Sequence, residues 1–129
     1  MRGGRSLAEE LESHLADWSE RTGIAVEIWS LPVADVPSRI ARAVLTVVNE
    51  ALDNVERHSG STVVSLAVTV GKNGLRLTVS DHGNGFPLTT QARGIARMRA
   101  ALTDVGGSLS VTSVQGEGTT VSGVVPRHR

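Results

Sequence analysis

The strongest constraint in this 129-residue chain is a period-two pattern that twice folds back on itself through a glycine turn. Val64, Leu66, Val68 and Val70 take every second position, Gly71-Lys72-Asn73-Gly74 breaks the run, and Leu75, Leu77 and Val79 resume it. Alternate side chains on a strand point to opposite faces, so this reads as a hairpin with one apolar face. Leu109 and Val111, the turn Gln115-Gly116-Glu117-Gly118, and Thr120 to Val125 predict a second hairpin. One further strand is expected where Ile24, Val26 and Ile28 alternate with Ala25, Glu27 and Trp29.

The remaining segments have helical spacing. Ser6-Leu7-Ala8-Glu9 reads as a capping box ahead of the stripe Leu7, Leu11, Leu15 and Trp18, and Thr22-Gly23 ends that helix. A longer helix follows, with Asp35 as its expected cap, Pro37 in its first turn and Ser59-Gly60 at its close. A third runs from about Ala92 to Val105 and stops at Gly106-Gly107. The order helix, strand, helix, hairpin, helix, hairpin predicts an α/β, two-layer sandwich. Its sheet is mixed and mostly antiparallel, with helices on one face. A doubly wound fold needs strict strand–helix alternation, which is missing here. One domain over 1–129 is expected, with its core at about 6–126.

Composition narrows the function classes. Thirteen basic residues against thirteen acidic ones argue against a nucleic-acid partner. Trp18, Trp29 and Phe86 are the only aromatic residues, too few for a base-stacking platform. Without cysteine there are no disulfides and no thiolate metal sites. No apolar run approaches the roughly 20 residues of a membrane span, and Met1-Arg2-Gly3-Gly4-Arg5 does not read as a signal peptide. The expected location is cytoplasmic, either as a soluble protein or as the cytoplasmic end of a membrane-anchored sensor, with no direct membrane contact by this domain.

The long helix carries the chemistry. In Asn49 to His58, a rotation of about 100° per residue places Glu50, Asn54, Arg57 and His58 within about a third of the circumference. Val44, Val48, Leu52 and Val55 face the core, while Arg42, Asn49, Asp53 and Glu56 make an ordinary solvated sector. The first set reads either as more solvated surface or as a ligand face. An amide oxygen suits Mg²⁺, which keeps most of its water and phosphate ligands. Arginine and histidine hold phosphate oxygens, and a carboxylate orients a metal-bound water or accepts a proton.

Three glycine loops add to this. Ser80-Asp81-His82-Gly83-Asn84-Gly85-Phe86 leaves a strand, where Asp81 can accept from an exocyclic amine and the glycines admit a flat ring. An Asp-Gly turn without a ligand is the plainer reading. Arg93-Gly94-Ile95-Ala96 opens the third helix, where exposed amides attract phosphate. Gly116-Glu117-Gly118-Thr119-Thr120 reads mainly as a hairpin turn.

In this order, the motifs resemble the Bergerat-type ATPase superfamily of gyrase, heat-shock chaperones, mismatch-repair ATPases and histidine kinases. Asn49 to His58 is similar to the N box, Asp81-His82-Gly83-Asn84-Gly85 to the G1 box, Gly94 onward to the G2 box, and Gly116 to Thr120 to the closing segment. The Asn-Glu-Ala-Leu-x-Asn-x-x-x-His form and the short connection from Phe86 to Arg93 resemble the kinases that serve NarL-type response regulators. The resemblance implies ATP and Mg²⁺ as cofactors. It implies that Glu50 is the catalytic carboxylate by the phosphates, that Asn54 ligates Mg²⁺, and that Arg57 and His58 reach phosphate. Asp81 would bind adenine, Gly83 and Gly85 would shape its pocket, Gly94 and Ile95 would open the lid helix, and Thr119 would lie near the base. One position departs from the family: Arg97 stands where glycine or asparagine is frequent.

The implied function is that of the ATP-binding catalytic domain of a two-component sensor histidine kinase. Its partners would be the kinase's dimerisation and phosphoacceptor domain, which supplies the histidine, and a response regulator. His14 lacks the acidic neighbour of an acceptor box, so the beginning at Met1 is expected to be that of a fragment or a truncated reading frame. A standalone serine kinase of the anti-sigma-factor type and a non-catalytic interaction module are the alternatives.

Overall fold

A computed structural model describes residues 6–83, 92–114 and 116–126, without the side chains of 58, 59 and 92. Helix α1 (Leu7–Thr22) begins at the capping box: the Ser6 hydroxyl accepts from the Glu9 amide at 3.2 Å, and the Glu9 carboxylate accepts from the Ser6 amide at 3.0 Å. Gly23 ends it in the left-handed conformation and donates its amide to Ser19. Leu7, Leu11, Leu15 and Trp18 are all buried, as their spacing requires.

Strand β1 (Ala25–Ser30) leads to helix α2 (Ser38–Asn54), which continues through a π-helical turn at Val55–Ser59. Asp35 does not cap α2. Pro37 takes the N-cap position in an extended conformation (ψ 143°), which delays the helix to Ser38 and leaves Asp35 two residues upstream; no side chain caps this end. Strands β2 (Val63–Gly71) and β3 (Gly74–Asp81) form the first hairpin. Helix α3 (Ala92–Thr103) stops two residues earlier than its apolar spacing suggests. Its last carbonyls are taken by a turn in which Gly107 donates to Leu102 and Gly106 to Thr103. Strands β4 (Ser108–Val114) and β5 (Gly118–Pro126) complete the fold.

The five strands lie in the order β1-β2-β3-β5-β4, with β1 parallel to β2 and every other pair antiparallel. The sheet is therefore mixed and mostly antiparallel, with the helices packed on one face. That face is formed by Val64, Leu66 and Val68 of β2, Leu75, Leu77 and Val79 of β3, and Val121 and Val125 of β5. Opposite them lie Val44, Val47, Val48, Ala51 and Leu52 of α2 and Met98 and Leu102 of α3. Each fully buried aliphatic side chain contributes about 1.5–3 kcal/mol relative to exposure. On the edge strand β1 the alternation fails at one end. The pairing register shifts between Ile28 and Ser30, leaving Ile28 and Trp29 exposed. Among the described residues, no helix is long and apolar enough to cross a membrane.

Candidate functional site

Strand parity brings Asp81 into the interior. Leu75, Leu77, Val79 and Asp81 share the inward face of β3, so the strand ends by carrying a carboxylate into the layer between sheet and helices. Asp81 is only 4% exposed. One of its oxygens accepts from the Gly83 amide at 2.9 Å; the other has no hydrogen-bond partner among the described residues. Thr119, at the start of β5, is buried beside it and donates to the Ser113 hydroxyl at 3.1 Å. Gly118 makes this approach possible. A Cβ there would lie 2.2 Å from the Asp81 carbonyl oxygen, and its φ of +112° already disfavours other residues.

The last residue of α2 faces the same space. Asn54 is 9% exposed, and its side-chain amide makes no hydrogen bond among the described residues. Such a group costs about 1–3 kcal/mol when buried without a partner, so its presence here points to a ligand. Asn54, Asp81 and Thr119 line one cavity with Ile95, Val79 and Val111 as apolar walls. They are also the only buried polar side chains among the described residues. The cavity measures about 10 Å³, the room of one water and less than a purine ring needs.

Helix α3 meets α2 at its first turn. A Cβ on Gly94 would stand 3.3 Å from a Glu50 carboxylate oxygen and 3.6 and 3.8 Å from the two Asn54 amide atoms. One helical turn further, Arg97 forms a two-point pair with Glu50, Nε to Oε1 at 2.5 Å and a terminal nitrogen to Oε2 at 3.2 Å. The hydrogen bond first, and the carboxylate's charge second, hold the Arg97 guanidinium above its ordinary pKa. Glu50, Asn54 and Gly94 thus form one cluster at the rim of the cavity.

Arg57 is placed elsewhere. It is exposed and bonds to Asp53 at 3.2 Å, on the solvated side. The π turn that starts at Val55 spans one residue more per hydrogen bond than an α-helix, so positions beyond Asn54 depart from the rotation extrapolated from 49–54. Glu56, on that turn, pairs with Arg21 of α1 at 3.0 Å. The His58 side chain and Gly85 lie outside the described residues. One contact was not evident from the sequence: Arg97 stands out there only as a departure in the G2 segment, and its pairing with Glu50 depends on how closely α3 approaches α2.

The donor set fits a magnesium–polyphosphate. No group of three or more histidine, cysteine, aspartate or glutamate side chains is gathered among the described residues. The unpartnered Asn54 amide and one nearby carboxylate match a cation that takes few ligands from protein and the rest from phosphate and water.

Residues 40–129 match the histidine kinase-, DNA gyrase B-, and HSP90-like ATPases. The chain is 30% identical over 126 residues to the sensor histidine kinase LiaS of Bacillus subtilis (strain 168), covering 95% of this chain and 35% of that protein. It is 35% identical over 82 residues to the nitrate/nitrite sensor protein NarX of Escherichia coli (strain K12), covering 63% of this chain and 14% of that one. The histidine kinase domain of a blue-light activated histidine kinase from Erythrobacter litoralis superposes with a TM-score of 0.81 at 28% identity, covering 94% of this chain and 61% of that one. The chain spans about a third of the length of the curated relatives it matches over most of its own length, 35% for LiaS. It belongs to the Bergerat-type ATPases, as a domain homologous to the ATPase domains of sensor histidine kinases.

Proposed function

We propose that this domain binds Mg·ATP between α2, α3 and the end of β3, and transfers the γ-phosphoryl group to a histidine on a separate dimerisation domain. The observation that carries the reading is that Asn54, Asp81 and Thr119, buried polar residues of a Bergerat-type fold, line one cavity.

In this reading the free oxygen of Asp81 accepts from the exocyclic amine of adenine. The Gly83 amide fixes the carboxylate for that contact. Val79, Val111 and Ile95 provide the apolar surround of the ring. Thr119 supplies a hydroxyl at the edge of the base. Asn54 holds Mg²⁺, which when bound neutralises phosphate charge. Glu50, at the rim, accepts the proton of the incoming imidazole as its nitrogen bonds to phosphorus and ADP leaves. Gly94 lets the start of α3 approach the phosphates. His58 and Gly85 keep the roles of phosphate contact and pocket shaping that the resemblance assigns to them. Arg57 reaches phosphate only by releasing Asp53. The partners are the phosphoacceptor domain and a response regulator, at a cytoplasmic location.

Asn54→Ala tests the reading in the full kinase. Loss of Mg·ATP-dependent autophosphorylation is expected, and retained activity would remove the metal assignment. Asp81→Asn should weaken ATP and adenosine together by calorimetry, and equal affinities would remove its role at the base.

A further inference from the structure

Glu50 places a negative charge where the proposed function needs a polyphosphate. Its side chain is 17% exposed, and one of its oxygens lies at the same helix crossing as the Asn54 amide. A bare carboxylate there would repel phosphate, because Coulomb repulsion is weakly screened in a partly buried cleft. Arg97 answers that charge. It lies three residues after Gly94, on the face of α3 that meets α2, and grips both Glu50 oxygens. The pair uses two of the five N–H donors of the guanidinium, the Arg97 side chain is 55% exposed, and the remaining donors make no other hydrogen bond among the described residues. The other described ion-paired cations are engaged by other carboxylates: Arg57 by Asp53, Arg21 by Glu56, Arg39 by Asp104. Arg97 also occupies the position at which the sequence departs from the family pattern.

We propose that Arg97 is a specificity-determining residue of the nucleotide cleft, offsetting Glu50 and offering its remaining donors to phosphate, so that the site prefers ATP over adenosine. The inference rests on the proposed nucleotide function. It concerns how strongly the phosphates, rather than the base, contribute to binding. A neutral residue at 97 leaves an uncompensated Glu50 facing the triphosphate. Lysine keeps the charge and loses the two-point grip.

Calorimetric titration of the 129-residue chain with ATP, ADP and adenosine, each with Mg²⁺, tests this. Arg97→Ala should lose about tenfold in ATP affinity, less for ADP, and leave adenosine unchanged. Arg97→Lys should recover part of the loss, and Arg97→Ala with Glu50→Gln most of it, because the repelling charge is gone. Arg99→Ala, an exposed arginine on the same helix, controls for net charge and should match wild type. An unchanged ATP-to-adenosine ratio in Arg97→Ala overturns the inference while the nucleotide reading stands, as does an equal loss for both ligands. If the wild-type chain binds none of the three, the nucleotide reading fails and this inference with it.

Discussion

The layer between the helices and the sheet has two regions of opposite composition. Around Leu52, Leu66, Val68, Leu77 and Leu102 every buried side chain is apolar. Where β3 and β5 meet the end of α2, the same layer buries Asn54, Asp81 and Thr119 around a cavity. The first region is built as a core is built, by removing apolar area from water. The second gives up some of that stabilisation, since an amide and a carboxylate oxygen are buried there without partners among the described residues. Burial alone therefore does not distinguish core from site in this fold. Burial of unpartnered polar atoms does.

Three substitutions sharpen or break that contrast. Leu66→Ala should cost about 2–5 kcal/mol in urea unfolding and leave the ATP affinity of the folded protein unchanged. Asn54→Leu should do the reverse, keeping stability within about 1 kcal/mol or raising it while Mg·ATP binding is lost. If Asn54→Leu unfolds the protein, that end of the layer is an ordinary core. Gly118→Ala joins the two regions: strain against the Asp81 carbonyl and at φ +112° should destabilise by about 2 kcal/mol and weaken adenosine binding. Retained adenosine affinity in that variant would separate Asp81 from the base.

The smallest effect concerns pH. The hydrogen bond from Arg21 holds the Glu56 carboxyl below its usual range, against the opposing effect of desolvation. A depressed folded-state pKa gives a contribution that is complete above the ordinary carboxylate range and lost as pH falls through the lowered value. Glu56→Gln should therefore melt slightly below wild type at neutral pH, with the difference closing in acid. A difference that persists in acid would show that packing, not charge, links α1 to the π turn.

Much of this was legible in the sequence. The period-two runs predicted both hairpins, and strand parity carries Asp81 to the buried face because 75, 77 and 79 are already inside. The mixed chemistry of Glu50 and Asn54 marked their helix face before any contact was visible. Arg57 was not legible, because a π turn breaks the rotation that relates it to Asn54. Nor was the pairing of Arg97 with Glu50. That contact depends on Gly94 admitting α3 close to α2, a distance no local pattern encodes. Asp35 failed as a cap for a similar reason: the fixed geometry of Pro37 sets where α2 begins.

The most direct measurement is an NMR titration of the ¹⁵N-labelled chain with Mg·ATP, followed through its backbone amides. The largest shifts are expected at Asn54, Asp81, Gly94 and Thr119, which belong to four different elements around one space. Saturable shifts confined to another surface, with these four amides unmoved, would contradict it.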